Sequence, residues 1–332
     1  MINEIRDAII HYLASVMKKE DAILALRYSN TPGVLTPFIA RNKEDLNSIE
    51  AGFFHLNNLA VYLSEFFQRE NQLSKLNGAL YIVCKPCDAK SVMQMISDQQ
   101  IVADKVKLLV YACEGIADMK KIKAEIGLDK DYKTIELHHA ELSLTLLDGT
   151  PLSIPKAKVL ADKCLECNGE YNISLPYVFV GDEKKWKTNA SNFGKIEKKV
   201  LLQDQKQGKE LFEQLKSELS VCIRCNACRN VCHACFCSEK CIFDRPKMTV
   251  GFLDKEIAPS DNILYHMIRF YHVAPNCTAC GECERVCPQG IPLSHLYDYF
   301  HRLMQESFDF SPGSSDSIRQ AMLSYRLGED LA

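Results

Sequence analysis

Two blocks of closely spaced cysteines constrain this chain more than any other feature of its sequence. Each block has the spacing C-x2-C-x2-C-x3-C, with which proteins bind a pair of 4Fe-4S clusters: three thiolates of a block hold one cluster and the fourth holds the other. The eight positions are Cys222, Cys225, Cys228 and Cys232 in the first block and Cys277, Cys280, Cys283 and Cys287 in the second. The pattern therefore predicts a two-cluster module that transfers single electrons.

Disulfides and structural zinc are the two alternatives for so many cysteines. Disulfides need an oxidising compartment, and structural zinc sites usually draw four ligands from separated C-x2-C pairs. Neither alternative accounts for two complete copies of the longer spacing in a chain with 16 cysteines. Iron–sulfur clusters are the favoured interpretation, and they imply a reducing, anaerobic setting.

Composition and charge exclude several other classes of protein. A chain of 332 residues with 47% hydrophobic content can form two domains with buried cores. A net charge of −3 gives no reason to expect a nucleic-acid partner. Charged residues interrupt the first turns, and no apolar run has the length of a membrane span, so we expect a cytoplasmic protein without a signal peptide.

The N-terminal part of the sequence has the pattern of an α/β domain. Apolar runs at 22–27, 79–84 and 107–112 predict buried strands, and amphipathic periodicity predicts helices at 2–17, 46–67 and 116–126, with Asp88 capping a further helix. Strands alternating with helices indicate a small parallel sheet. A hairpin is predicted at 142–147 and 151–154, around the Asp148–Gly149 turn.

Four further cysteines are candidates for a third cluster. Cys87 and Cys113 follow two of the predicted strands, and functional groups gather at the carboxyl ends of parallel strands. Cys164 and Cys167 form a C-x2-C pair that needs two more thiolates. Isolated cysteines also serve as small buried hydrophobes. Cys84 competes with Cys87 for the same role, although its place inside an apolar strand favours packing.

The C-terminal part is predicted to be helical. An apolar helical run at 263–273 lies between the two cysteine blocks, another follows at 293–304, and strand-like alternation is missing. We therefore expect an α/β core domain with a small sheet at 1–205 and an all-helical two-cluster ferredoxin-like module at 206–310. A linker and a C-terminal docking helix are predicted at 311–332, with the helix at 316–327.

Five motifs taken together resemble the beta subunits of formate dehydrogenases. The motifs are KPCDAKSVMQMI, VYACEGI, KCLECN, CIRCNACRNVCHACFC and CTACGECERVCPQGIPLSHLYDYF. These subunits belong to a wider family of deazaflavin-coenzyme-linked hydrogenase and dehydrogenase beta subunits, and the resemblance runs from about residue 8 to residue 312. It implies a core cluster bound by Cys87, Cys113, Cys164 and Cys167, normally beside an FAD, in addition to the two clusters of the helical module.

Two segments depart from the family pattern, and both concern the flavin. Family members typically carry a glycine pair before the first helix and an Ala-Asp with following glycines after the C-x2-C pair. Here the first helix reads IRDAIIHYL, and the later stretch reads NGEYNISLPYVFVGDEKK. We therefore hypothesise that this chain has lost or weakened its flavin site.

Residues around the two cysteine blocks raise narrower questions. His233 replaces the proline that commonly follows the fourth cysteine, and Cys235, Cys237 and Cys241 come directly after it. These three cysteines either bind an additional metal or remain free thiols. Acidic residues near the second block, Glu282 and Glu284, are expected to lower the potential of its cluster, whereas Arg224 and Arg229 are expected to raise that of the first.

The favoured function is that of an electron-transfer subunit of an anaerobic oxidoreductase complex. Its partners would be a catalytic subunit, of the molybdenum or tungsten formate dehydrogenase type or the hydrogenase type, and another redox subunit. One alternative is an FAD-containing subunit that itself reduces a soluble hydride carrier, a deazaflavin coenzyme or NAD(P). Another is a conduit in a heterodisulfide-reductase-like bifurcating complex.

Overall fold

The fold is described from a computed structural model. The chain divides into two compact units, one made of Met1–Ala89 and Ile101–Lys198, the other of Lys90–Gln100 and Lys199–Ala332. The structure describes residues 2–63, 76–138, 140–165, 175–187, 208–237, 258–294 and 311–313, together with the single positions 167, 169, 171, 173, 241, 243, 296, 297, 299, 301 and 306. Of the helices in this described part, none combines the length and apolar character that crossing a bilayer requires.

A five-stranded mixed sheet forms the centre of the first unit. In sequence order its strands are β1 (Ala22–Tyr28), β2 (Leu35–Ala40), β3 (Leu80–Cys84), β4 (Val106–Tyr111) and a last strand, Tyr177–Val180. The spatial order is β2, β1, β3, β4 and then the last strand, with β2 antiparallel and all other pairs parallel. Strands buried on both faces read as continuous apolar runs. That is why β1, β3 and β4 could be predicted from sequence, whereas the two edge strands, β2 and Tyr177–Val180, were not.

Four helices of the first unit flank or connect these strands. They are α1 (Ile2–Val16), α2 (Pro86–Ser97), which follows β3, α3 (Met119–Ile126), and the short α4 (Asp162–Leu165). Ile9 and Leu13 of α1 are fully buried against the sheet. From Lys90 onwards, α2 is counted with the second unit.

The helix predicted at 46–67 is wrong over its first part. The chain forms a short 3-10 turn at Asp45–Ser48, continues without regular structure, and is helical at 60–63, with residues 64–75 lying outside the described part. Gly52 has φ +103°, which a continuous helix does not permit, and the Asn58 side chain accepts a hydrogen bond from the main-chain nitrogen of Ala60 at 3.0 Å. These local signals outweighed the apolar periodicity.

A small three-stranded antiparallel sheet completes the first unit. It consists of β5 (Tyr132–His138), β6 (Glu141–Leu146) and β7 (Pro151–Pro155), paired in that order, and the last strand of the large sheet becomes β8. The main-chain nitrogen of Thr150 donates to Asp148 at 2.8 Å, and Gly149 has φ +88°, as a tight turn requires. The predicted hairpin is therefore present, with β5 as an additional strand.

The second unit is helical in its described part. Its helices are α5 (Lys209–Ser220), α6 (Ala227–Asn230), α7 (Pro259–Val273) and α8 (Glu282–Arg285). Phe270 and Val273 of α7 pack in one core with Leu219, Leu293 and Tyr297. The helical character predicted for this part of the chain is confirmed, while the predicted C-terminal helix at 316–327 lies outside the described residues.

Candidate iron–sulfur sites

Four of the predicted ligands line one small concave site in the second unit. Cys222, Cys225 and Cys228 come from the first cysteine block, and Cys287 is the last cysteine of the second block. Burial raises the pKa of Cys222 and Cys228, and the neighbouring thiols of the same group, Cys287 and Cys225, raise it further. The structure thus brings together three thiols of one block with the fourth thiol of the other.

The complementary group consists of Cys277, Cys280, Cys283 and Cys232. Burial raises the pKa of Cys277 to about 12, and it raises that of Cys232 and Cys283 strongly. Each of these three thiols is also affected electrostatically by other members of the group. Protonated, buried thiols of this kind become metal ligands by releasing their protons.

The backbone repeats itself around these two groups. Arg224 and Asn226 have positive φ angles of 48° and 60°, and the corresponding positions of the second block, Ala279 and Gly281, have 53° and 70°. Three of these four residues are not glycine, so the conformation is strained and must be imposed by the surrounding structure. It turns main-chain nitrogens toward sulfur: that of Arg224 donates to Cys222 Sγ at 3.3 Å.

The core candidates also converge, within the first unit. Cys113 follows β4 and has Cys164 and Cys167 among its electrostatic neighbours, while Cys87, at the start of α2, has Cys113 among its own. Burial raises the pKa of Cys113 to about 12. The main-chain nitrogen of Ile116 donates to Cys164 Sγ at 3.4 Å. Cys84 is fully buried within β3, and its electrostatic neighbours are Lys85 and Asp88, not thiols.

A closed network of buried charges lies directly beside Cys87. Lys85 Nζ is 3.0 Å from Asp88 Oδ2, His55 Nε2 is 3.3 Å from the same oxygen, and Tyr111 Oη is 2.7 Å from His55 Nδ1. All four side chains are at most 1% exposed. Burial by itself would raise the pKa of Asp88, but Lys85 and His55 hold it well below its usual range. The carboxylate and the ammonium therefore compensate each other inside the domain.

Asp88 is not the helix cap that the sequence suggested. Helix α2 already begins at Pro86, and the Asp88 side chain accepts a hydrogen bond from the main-chain nitrogen of Lys85 at 3.2 Å. Its partner His55 lies in the segment whose helix was predicted wrongly. The network was missed because His55 and Tyr111 are far along the chain from Lys85 and Asp88.

Two glycines beside Cys113 are closely packed within the described part of the chain. A Cβ added to Gly115 would meet Leu160 at 2.5 Å, and one added to Gly181 would meet Ala112 at 2.9 Å. The protein's own side chains fill the space that these glycines leave. The indole nitrogen of Trp186 donates to the main-chain oxygen of Cys113 at the same place.

The remaining cysteines of the second unit lie close together. Cys241 and Cys235 both raise the pKa of Cys237, although burial is the larger cause. Within the described part of the chain, no three His, Cys, Asp or Glu side chains are grouped tightly enough to hold a single metal ion. A 4Fe-4S cube spreads its four thiolates around a larger body, so this finding concerns mononuclear sites.

Arg269 is a second feature that sequence reasoning missed. It lies on α7, is 1% exposed, and its charge lowers the pKa of thiols in both groups of the second unit, against the larger effect of burial. Its position belongs to the buried stripe of that helix. In the sequence, a charged residue at a position within the apolar stripe of a helix was the signal that could have pointed to Arg269. Four thiols per group, with a buried cation beside them, fit the anionic cubes that the spacing predicts.

Comparison with known proteins supports these sites. Residues 218–291 match the family described as 4Fe-4S dicluster domain. The C-terminal part of the chain therefore carries such a domain, as the two cysteine blocks predicted.

Two curated relatives extend the comparison to most of the chain. The F420-dependent formate dehydrogenase subunit beta of Methanocaldococcus jannaschii is 23% identical over 287 residues, which cover 71% of this chain and 74% of the relative. The F420-dependent formate dehydrogenase 1 subunit beta of Methanococcus maripaludis is 24% identical, with 91% and 88% covered. The resemblance inferred from the five motifs is confirmed.

A solved structure is similar over a smaller part. A chain of the F420-reducing NiFe hydrogenase complex from Methanosarcina barkeri matches with a TM-score of 0.35 and 14% identity, over 49% of this chain and 57% of that one.

Proposed function

We propose that this chain, an iron–sulfur electron-transfer protein related to formate dehydrogenase beta subunits, passes electrons one at a time along three 4Fe-4S clusters. The observation that supports this most is the convergence of twelve cysteines into three groups of four, each group assembled from separate parts of the sequence. Two groups share the dicluster domain, and the third lies at the strand ends of the first unit.

The proposed ligands follow the grouping of the thiols. Cys222, Cys225, Cys228 and Cys287 hold one cube of the dicluster domain, and Cys277, Cys280, Cys283 and Cys232 hold the other. Cys87, Cys113, Cys164 and Cys167 hold the cube of the core domain. We assign Cys84 to packing, since it is fully buried in β3 and its electrostatic neighbours are not thiols.

The cubes, once bound, supply one-electron oxidation and reduction without bond making. The chain's own residues set the conditions for it. Main-chain nitrogens such as those of Arg224 and Ile116 donate to ligand sulfurs and favour the reduced state. Cys228 and Cys287 are buried, whereas Cys225 of the same group is exposed. The strained turn of the first block holds the main-chain nitrogen of Arg224 in place for its hydrogen bond to sulfur.

The relatives suggest which proteins exchange electrons with this chain. We infer that a catalytic oxidoreductase subunit, of the molybdenum or tungsten formate dehydrogenase type or the hydrogenase type, delivers electrons, and that another redox subunit of the same complex accepts them. The cysteine content suits the reducing cytoplasm, where we place the complex.

The names of the relatives favour one competing function. Both are described as subunits of F420-dependent formate dehydrogenases. In this competing function the chain would exchange electrons with that coenzyme itself, through the FAD that the family resemblance implies. Against this stand the two sequence segments that depart from the family's flavin pattern, IRDAIIHYL and NGEYNISLPYVFVGDEKK.

Rapid mixing of the reduced protein with two kinds of acceptor separates these functions. The anaerobically purified chain is reduced with dithionite, freed of excess reductant, and mixed either with a viologen, which accepts single electrons, or with coenzyme F420, which accepts a hydride. We expect oxidation by the viologen only, with and without added FAD. Reduction of F420, or its appearance when FAD is added, would contradict the proposal.

A further inference from the structure

The second unit contains a buried arginine, Arg269, that no carboxylate of the described residues balances. Its Nη2 donates to the main-chain oxygen of Cys228 at 2.9 Å, and its guanidinium carbon lies 5.5 Å from the centre of the Tyr297 ring. Within the described part of the chain, its Nε and Nη1 have no hydrogen-bond acceptor. Among the described residues, no Asp or Glu lies within ion-pair distance of it.

Such a residue is costly unless another group supplies the missing negative charge. A guanidinium does not lose its proton under protein conditions, so it cannot escape the cost by becoming neutral. Buried charges are therefore paired in stable proteins, and unpaired ones are strongly destabilising. A Tyr ring offers only a weak attraction to a cation. The native protein must complete the surroundings of Arg269 in another way.

The groups facing Arg269 come from both cysteine groups of this unit. It is hydrogen-bonded to the main chain of Cys228, from the first group. Cys232, Cys277 and Cys283, from the second group, pack against the core that contains Tyr297 and the α7 residue that follows Arg269. The charge of Arg269 lowers the pKa of all four thiols, against the larger effect of burial. The neighbouring His266 supplies no anion, since an imidazole is neutral or cationic; burial, and then the charge of Arg269, lower its pKa to about 3. The phenol of Tyr297 stays neutral, because burial raises its pKa well above the ordinary value. Among the described groups that face Arg269, this leaves the thiols and the metal sites they form to carry negative charge.

We propose that Arg269 is the shared counter-charge of the two cubes of the dicluster domain, and that it raises the reduction potentials of both together. A 4Fe-4S cube with four thiolates is an anion, and each added electron makes it more negative. A fixed cation buried beside both favours that added charge at each. No proton moves, because the guanidinium stays protonated in both redox states. Arg269 is a positioning residue and not a ligand.

A single shared cation has a functional consequence. It shifts the two potentials in the same direction, so it changes the difference between neighbouring cubes, which governs electron flow between them, less than a cation beside one cube alone would. Arg224 cannot take this role in the same way. It belongs to the first cysteine block, its Nη2 lies 3.7 Å from Asp261 Oδ2, and its Nε donates to Asn262. A carboxylate thus already offsets its charge.

The test compares Arg269→Gln, Arg269→Lys and the matched control Arg224→Gln in the full, iron-loaded chain. Potentiometric titration followed by electron paramagnetic resonance gives the midpoint potential of each cube. We expect Arg269→Gln to shift both midpoints of the dicluster domain downward and leave the core cube unchanged. Arg269→Lys should keep both midpoint potentials close to the wild-type values. Arg224→Gln should lower only the midpoint potential of the first cube, and by less than Arg269→Gln does.

The outcomes separate this inference from the proposed function on which it rests. If Arg269→Gln loads both cubes and either midpoint stays at the wild-type value, the shared role is wrong. If Arg269→Gln binds too little iron to be titrated, Arg269→Lys takes its place in the test. Wild-type iron content and wild-type midpoint potentials in Arg269→Lys support the role of the charge. A low iron content in Arg269→Lys would contradict it, because the positive charge is still present in that variant. Absence of cubes from the wild-type protein would overturn the proposed function itself.

Discussion

Among the described residues, each unit buries one cation to within 1% of full burial, but the two cations are balanced in opposite ways. Lys85 in the first unit has Asp88 3.0 Å away and donates to the main-chain oxygens of His55 and Asn57, each at 2.9 Å. Arg269 in the second unit has a main-chain oxygen and an aromatic ring but no carboxylate among the described residues. The core domain therefore carries its own charge balance, whereas the dicluster domain depends on its clusters for it.

This difference implies that the two units respond differently to the loss of iron. A domain with internally balanced charges keeps them balanced when its cluster is absent. A domain whose buried cation is balanced by the clusters is left with an uncompensated charge. We therefore expect the dicluster domain to be the less stable part of the iron-free protein.

Removal of the crossing ligand Cys287 has the largest expected effect. Cys287→Ser should remove the first cube of the dicluster domain, about four irons, and leave the second cube with its own signal. Metal analysis and electron paramagnetic resonance measure both. Cys241→Ser is a matched control, because Cys241 and Cys287 are each 7% exposed. An equal loss of iron from both variants would show that the predicted grouping of the thiols is wrong.

Lys85→Met tests the internal balance of the first unit. The substitution leaves the Asp88 carboxylate buried without its cation, and we expect it to lower the free energy of unfolding of this unit by about 3–5 kcal/mol. Trp186, the single tryptophan, lies buried in this unit, so its fluorescence during urea unfolding reports on this unit.

Lys121→Met serves as the control for this substitution. Lys121 pairs with Asp162 at 2.6 Å, but the Asp162 side chain is 64% exposed, so the expected cost is below about 1 kcal/mol. Similar costs for the two variants would contradict the compensation assigned to Lys85 and Asp88.

In iron-free protein, Arg269→Met should raise the free energy of unfolding of the second unit, by less than Lys85→Met lowers that of the first unit. Replacing an unbalanced buried cation by an apolar side chain of similar length is expected to stabilise the second unit by about 1–4 kcal/mol. Hydrogen exchange of the α7 main-chain amides measures this locally. Slower exchange in the variant supports the contrast between the units, while faster exchange would mean that Arg269 is already balanced without iron.

The sequence predicted what depends on spacing and periodicity. Cys232 and Cys287 were assigned to opposite groups from the motif alone, and the structure places them so. Strand ends likewise located Cys87 and Cys113. The effect of Glu282 on the potential of the second cluster stays a prediction. The structure adds a contact that the sequence did not indicate: Glu282 is 1% exposed and paired with Arg285 at 2.6 Å.

What the sequence missed depends on contacts between distant segments. His55 meets Asp88 only because the segment after β2 forms turns around Gly52 instead of a helix. Arg269 is a charged residue on the buried face of α7, and periodicity describes that face as apolar. Whether such a residue is solvated or buried depends on how α7 packs against its neighbours. The sequence of α7 alone does not determine that packing.

The count of iron, sulfide and flavin per chain tests the central claim most directly. The anaerobically purified protein should contain about twelve irons, as many sulfides, and no flavin, since three groups of four thiols each hold one cube. A count of about eight irons would mean that only two cubes are bound and that the core cluster is not part of the electron path. One FAD per chain would contradict the account, because the chain would then be built to exchange hydride as well as single electrons.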